Sequence, residues 1–143
     1  MNVAALLKAK GRAVATAHAD TPLLDISVAL AEKRIGAIVI VDDRGSVKGI
    51  VSERDLVRAI ASSGADILTR PASEIMTREV TICSLDRTIE ELMEMMTKGR
   101  FRHLPVIENG DLVGIISIGD VVKHHIAEVE MEVSAMRDYL ATG

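Results

Sequence analysis

The sequence has 143 residues, of which 48% are hydrophobic, so it is long enough to bury the core of one domain and too apolar to be disordered. A formal net charge of −4 and only two aromatic residues, Phe101 and Tyr139, argue against a nucleic-acid-binding protein, which needs a basic surface or several stacking rings. The single cysteine, Cys83, excludes an internal disulfide framework, and the apolar run at 3–7 is too short for a signal peptide or membrane span, so we expect a cytoplasmic protein.

The first half of the chain alternates between helical and strand patterns. Residues 1–12 predict a short helix that ends near a glycine. After an Asp-Thr-Pro start signal, apolar residues spaced three and four apart predict a second helix over 23–30. The apolar run 35–41 predicts a buried strand, which a Gly-bearing turn joins to a second strand at 47–51. A helix over 53–62 completes this half.

The second half repeats this order after a connector. The breakers Ser-Ser-Gly and Pro71 mark residues 62–75 as a connector. Apolar residues at helical spacing predict a helix over 89–96, followed by strands at 103–107 and 112–116. The last helix is predicted from residue 118 onward.

An internal repeat explains this order. RIGAIVIV at 34–41 resembles RFRHLPVI at 100–107, and GIVSERDLVR at 49–58 resembles GIISIGDVVK at 114–123. The offset slips by one residue between the two blocks, in a turn, where a change of length is tolerated. Each copy is β-α-β-β-α. We expect an α/β fold of the α+β type, in which two repeats related by a pseudo-twofold axis pack sheet to sheet, because one half alone is too small to be stable.

The duplicated signature resembles that of the CBS domain, the cystathionine β-synthase domain. The pattern Gly-apolar-apolar-Ser-x-x-Asp occurs at 49–55 and 114–120, with RHLPV at 102–106, EIMT at 74–77 and IGAIVIVD at 35–42. The resemblance implies a tandem CBS pair, or Bateman module. It also implies a regulatory protein that binds an adenosine-containing ligand (AMP, ADP, ATP, NAD or S-adenosylmethionine) in clefts between the paired sheets.

We therefore expect one CBS-pair module over 1–143, with repeats at 12–62 and 76–127 and a C-terminal helix at 120–140. The apolar residues of that helix are spaced 4, 3, 4, 3 and 4, which is a heptad seam. The helix either folds onto its own module or contacts a second copy, and we predict a homodimer contact that supports a dimer formed elsewhere. The seam consists of Val122, Ile126, Val129, Val133, Met136 and Leu140.

Two Ser-x-x-Asp pairs, Ser52 with Asp55 and Ser117 with Asp120, stand where a strand passes into a helix. Such a pair forms a capping box, in which each side chain bonds the backbone of the other residue. The resemblance implies a second role, in which the aspartate binds the ribose diol while the serine and the free helix amides hold phosphate. The two roles are compatible, because a cap fixes the carboxylate before a ligand arrives.

Basic residues are concentrated in the second copy, at 98–103. Lys98 and Arg100 fit a solvated helix C-terminus. Arg102 and His103 begin an apolar strand, and the resemblance implies that they reach the phosphates of a ligand whose ribose lies on the Asp55 side.

Arg54 adds charge on that same side, whereas its counterpart Gly119 cannot. The counterparts of the two strand-leading cations are Gly36 and Ala37, so we expect the Asp120 side to be poorer in cations and the two sites to differ.

Adenine requires a flat apolar slot. Candidates by position are small or apolar residues in each half, and ordinary sheet packing is the alternative explanation for each of them. They are Ala15, Ala17 and Val39 (with space left by Gly36 and Ala37) in one site, and Thr77, Val80, Thr81 and Pro105 in the other.

Catalysis has little support in the sequence. Cys83 and His103 lack a third group, His124 and His125 are adjacent and point apart on a helix, and no phosphate-binding glycine motif occurs. We predict a protein without catalytic or metal-binding residues, whose partners are an adenosine-containing ligand, a second copy and an unidentified protein target, with no nucleic acid or membrane. The alternative is a dimerisation or scaffold module that needs no ligand.

Overall fold

The computed structural model describes residues 1–142, which form a mixed α/β protein with two small sheets. Two short 3-10 helices, Ala65–Thr69 and Ala72–Glu74, lie in the expected connector. The α-helices are α1 (Val3–Lys10), α2 (Leu23–Lys33), α3 (Glu53–Ser63), α4 (Ile89–Gly99) and α5 (Ile118–Thr142), and the strands are β1 (Thr16–Ala17), β2 (Ala37–Val41), β3 (Val47–Ser52), β4 (His103–Glu108) and β5 (Asp111–Ser117).

The first half has the expected β-α-β-β-α order. β2 lies in the middle of a three-stranded sheet, parallel to β1 and antiparallel to β3. All five residues of β2 are buried, which explains its uninterrupted apolar sequence. The start of α2 differs from the expected signal, because its N-cap is Pro22 and Thr21 instead accepts a hydrogen bond from the His18 N–H at 3.0 Å.

The second half departs from the expected order at its first strand. β4 and β5 form a two-stranded antiparallel sheet, and the predicted preceding strand is reduced to one parallel bridge between Cys83 and Val106. The proline in β4 explains this loss. In the first half the Val39 N–H donates to the Ala15 carbonyl at 3.1 Å. The corresponding residue, Pro105, has no N–H to donate.

The segment that precedes each half packs into the core of the other half. From α1, Leu7 is buried in the core of the second half, whereas Met76 of the connector is buried in the core of the first half. The glycine of each signature leaves room for this exchange. A Cβ built on Gly114 would lie 2.8 Å from Leu7 Cδ1, and one built on Gly49 would lie 2.8 Å from Met76 Sδ. The duplicated glycine is therefore a packing requirement.

Helix α5 continues far beyond the second half. It has 25 residues, a length of about 37 Å at 1.5 Å per residue, and Val121 is its one buried residue among those described. The exposed fraction of the seam residues ranges from 43% at Val129 to 70% at Leu140. The chain's own described residues therefore do not cover this face. Within residues 1–142, no helix has both the length and the apolar character needed to cross a membrane.

Candidate functional site

Both Ser-x-x-Asp pairs form capping boxes. The Ser52 N–H donates to Asp55 Oδ2 at 2.9 Å and the Asp55 N–H donates to Ser52 Oγ at 3.1 Å. In the second copy, the same two bonds join Ser117 and Asp120 at 2.8 and 3.1 Å. The local prediction is confirmed. Each cap uses one carboxylate oxygen, so the carboxylate is fixed on the first turn of its helix while its other oxygen is free of the cap.

Two cavities lie beside these carboxylates, and each is lined by both halves of the chain. The Asp120 cavity has a volume of about 600 Å³ and the Asp55 cavity about 490 Å³, both in the range of small-molecule sites. Gly36, Glu53, Arg102 and His103 line both cavities. Of the other predicted residues, Ala15, Ala37, Ser117 and Asp120 line the first, whereas Ser52, Arg54, Asp55, Thr77, Val80 and Thr81 line the second.

Three residues predicted for the adenine slots lie outside both cavities. Val39 is fully buried in the middle strand β2, where it pairs with β1 and β3. Ala17 packs against the core of the first half. Pro105 is buried in β4, and its carbonyl accepts a hydrogen bond from the Cys83 N–H at 3.0 Å. These three residues pack within the sheets and the core and do not line either cavity.

His103 stands at the wall shared by the two cavities, close against Gly36. A Cβ built on Gly36 would lie 3.0 Å from His103 Nε2. Burial lowers the pKa of His103 below 6.5, and the nearby Lys10 lowers it further. Burial and Lys10 therefore both favour the neutral imidazole in the free protein.

Lys10 is one of the site residues that the sequence analysis missed. From the C-terminus of α1, its Nζ donates to Asp120 Oδ2 at 2.6 Å and to the Ile115 carbonyl at 2.7 Å. Burial opposes ionisation of Asp120, but the hydrogen bonds from Lys10 and from the Ser117 N–H outweigh it and lower the pKa of Asp120. A separation of 110 positions along the chain hides the pair from any local pattern.

The expected difference in cation number between the two sites is wrong. Lysines and arginines from both halves line each cavity. Two of these arginines, Arg34 and Arg100, stand at the ends of α2 and α4 in the left-handed conformation, with φ of 53° and 55°. Lys98 lines neither cavity and instead pairs with Glu94 at 2.7 Å. Lys10, Lys33, Arg34 and Arg102 line the Asp120 cavity, and Arg54, Arg58, Arg100 and Arg102 line the Asp55 cavity.

Two other candidate reactive side chains, Cys83 and His124, line neither cavity. Burial raises the pKa of Cys83 to about 11, so its thiol stays protonated at neutral pH and is a poor nucleophile. His124 lies 3.6 Å from Glu128 on the same helix. Among residues 1–142, no cluster of three or more histidine, cysteine, aspartate or glutamate side chains could hold a metal ion.

Comparison with known proteins gives consistent matches. The CBS-domain family model matches residues 11–62 and 72–126. The fold is similar to that of a CBS-domain-containing protein from Agrobacterium tumefaciens, with 49% identity, a TM-score of 0.85 and coverage of 87% of this chain and 99% of that one. It is also similar to a CBS-domain protein from Pyrobaculum aerophilum complexed with AMP, with 28% identity, a TM-score of 0.74 and coverage of 84% and 89%.

Among curated sequences, a mitochondrial CBS domain-containing protein from Arabidopsis thaliana is 30% identical over 128 residues, which are 87% of this chain. The chain spans 62% of the length of that protein.

Proposed function

Because the chain belongs to the CBS-domain family and carries two CBS domains in tandem, we propose that it is a regulatory module that binds an adenosine-containing ligand and has no catalytic role of its own. The ligand is AMP, ADP, ATP or NAD. One observation carries the proposal: each of two ligand-sized cavities between the halves combines a capped carboxylate with several cations. The relative complexed with AMP supports the ligand class.

The proposed contacts divide each ligand into three parts. Asp55 and Asp120 accept hydrogen bonds from the ribose hydroxyls, because each carboxylate is already oriented by its cap. The serine hydroxyls, the first free amides of α3 and α5, and the arginines of the cavity hold phosphate. The adenine ring lies against small or apolar residues, which are Ala15 and Ala37 in the Asp120 cavity and Thr77, Val80 and Thr81 in the Asp55 cavity.

Arg102 and His103 serve both cavities in this proposal. They lie where the cavities meet and belong to the second half, so a phosphate bound there connects the two halves. A ligand that contacts both halves favours one relative arrangement over others, which is a shift of population. The protein transmits this shift to a partner protein.

A second copy of the chain is the proposed partner of the exposed seam on α5. The six seam residues follow a heptad spacing, and each is 43% or more exposed in the single chain. Fewer than three heptads are present, so this contact supports the dimer and does not create it alone. We also place the module in the cytoplasm, where a lone buried thiol such as Cys83 remains reduced.

The test is a thermal-shift panel with AMP, ADP, ATP, NAD and adenosine on the wild type, Asp55→Ala and Asp120→Ala. A ligand at about 100 times its Kd adds about 2.7 kcal/mol of stability, which raises Tm by roughly 5–10 °C in a domain of this size. We expect the shift to shrink in each variant.

Both variants also lose a helix cap, and Glu91→Ala controls for that loss. Glu91 is the N3 carboxylate of the capping box of α4, and it lines neither cavity. This control should melt at a lower temperature and keep the full ligand shift. If no ligand raises the Tm of the wild type at millimolar concentration, the protein is a scaffold module that needs no ligand. If Asp55→Ala and Asp120→Ala both keep the full shift, the ligand does not bind through these carboxylates and the proposed contacts are wrong.

A further inference from the structure

The C-terminus of helix α1 places a cation on the carboxylate of one cavity. Lys10 Nζ contacts Asp120 Oδ2 at 2.6 Å and the Ile115 carbonyl at 2.7 Å. The side chains of Lys10 and Asp120 are 31% and 24% exposed, so water screens the pair only in part. Helix α1 is held in place by Val3 and Leu7, both fully buried. Lys10 therefore contacts the Asp120 carboxylate from a helix that is anchored in the core.

The Asp55 cavity has no such cation on its carboxylate. Among residues 1–142, no lysine or arginine nitrogen lies within ion-pairing distance of Asp55. The segment 77–81 that lines this cavity contributes Glu79. The nearby Arg78 donates to the Ser73 carbonyl at 3.1 Å and does not line the cavity. The two carboxylates have the same cap and differ in their counterion.

This difference changes which ligands each carboxylate can accept. A ribose diol that donates to both oxygens of Asp120 competes with the ammonium of Lys10 for Oδ2, which also accepts the cap hydrogen bond from the Ser117 N–H. A neutral nucleoside that displaces the ammonium offers it no charged acceptor, and a partly buried cation without an anion is costly. A ligand with a phosphate supplies a new anion for Lys10, because a charge-assisted bond to phosphate replaces the one to Asp120.

Resting on the proposed function, we infer that Lys10 makes the Asp120 cavity selective for phosphorylated adenosine ligands over adenosine. The Asp55 cavity carries no such filter and binds adenosine as well as its phosphates. The two cavities therefore differ in selectivity: the Asp55 cavity accepts both the nucleoside and the nucleotide, and the Asp120 cavity prefers the nucleotide.

The test measures the Asp120 cavity by itself, using calorimetry with AMP and adenosine on Asp55→Ala. We expect AMP to bind this variant at least about tenfold more tightly than adenosine, the size of one charge-assisted contact. Adding Lys10→Met should reduce this preference by at least about threefold, because adenosine gains affinity while AMP loses it, and the preference that remains comes from His103 and the other cations of the cavity. Lys8→Met is the matched control, since Lys8 is an exposed lysine on the same helix that lines neither cavity.

Lys10→Arg keeps the charge and should restore the preference, which separates loss of the cation from loss of α1 packing. An unchanged ratio of the AMP and adenosine affinities in the Lys10→Met variant would overturn the inference. Failure of Asp55→Ala to bind AMP would also overturn it, but the proposed function would survive if the wild type binds AMP through Asp55. Failure of the wild type to bind any of these ligands would remove both.

Discussion

His103 should take up a proton when a phosphate-bearing ligand binds. In the free protein its pKa is lowered by burial and by Lys10, with a smaller effect of the same sign from Arg102, while Glu53 and Asp120 act in the opposite direction. A bound phosphate adds negative charge beside the imidazole and raises its pKa. Acidification should therefore strengthen binding of AMP through His103 and leave binding of adenosine unchanged.

The expected size follows from proton linkage. Between the pKa of the free and the liganded state, uptake of one proton changes affinity by up to about tenfold per pH unit, or about 1.4 kcal/mol. Stability of the free protein changes in the other direction. Because the folded pKa is depressed, neutral His103 favours the fold above the ordinary histidine pKa of 6.5, and that contribution is lost as pH falls through the folded pKa.

The assay is calorimetry between about pH 7.5 and 5.5 in pairs of buffers with different ionisation heats, which counts the protons taken up. The phosphate of AMP also titrates near pH 6 and weakens binding in acid, so the wild type is compared at each pH with His103→Gln. We expect His103→Gln to show less proton uptake than the wild type, and His103→Ala to weaken AMP by roughly tenfold to a hundredfold with adenosine unaffected. Identical pH profiles of the wild type and His103→Gln would show that His103 is a packing residue.

Three further outcomes are expected. Replacing Val129 and Val133 with Glu should weaken the dimer in light scattering while the circular dichroism spectrum is retained, and an unchanged mass would contradict the seam contact. Gly114→Ala should lower the free energy of unfolding by about 1–3 kcal/mol because its Cβ meets α1 at 2.8 Å, whereas Gly119→Ala, with only a 3.6 Å contact, should not. Lys10→Met should make the free energy of unfolding fall less steeply in acid, as measured by urea unfolding between pH 7 and 3. The reason is that Lys10 lowers the pKa of Asp120 in the folded protein, and the stability that this provides is lost as pH falls through the folded pKa.

The two halves differ at their first strand, and this difference marks the limit of what the internal repeat could predict. The repeat predicted equal elements, and the structure replaces the first strand of the second half with the Cys83 bridge. The signal was present in the sequence, since Pro105 occupies the position at which Val39 donates a ladder hydrogen bond. Two strands with the same apolar pattern can therefore form different hydrogen bonds, because proline fits the apolar pattern but has no backbone N–H to donate.

The sequence by itself determined the features that depend on residues close together in the chain. The capping boxes join residues three apart, the helical faces repeat every three or four residues, and the duplicated blocks indicate two similar halves. Each depends on backbone geometry that is the same wherever the segment is placed. The positions of Asp55 and Asp120 at helix starts could therefore be predicted without the fold.

Only the tertiary structure decided which side chains meet in the cavities. Lys10 reaches Asp120 because α1 packs into the core of the second half, and His103 reaches both cavities because Gly36 of the first half leaves it space. Val39 is excluded because its sheet buries it completely. These outcomes depend on how distant elements pack against one another, which is set by the volume and shape of the whole core and not by the order of residues along one segment.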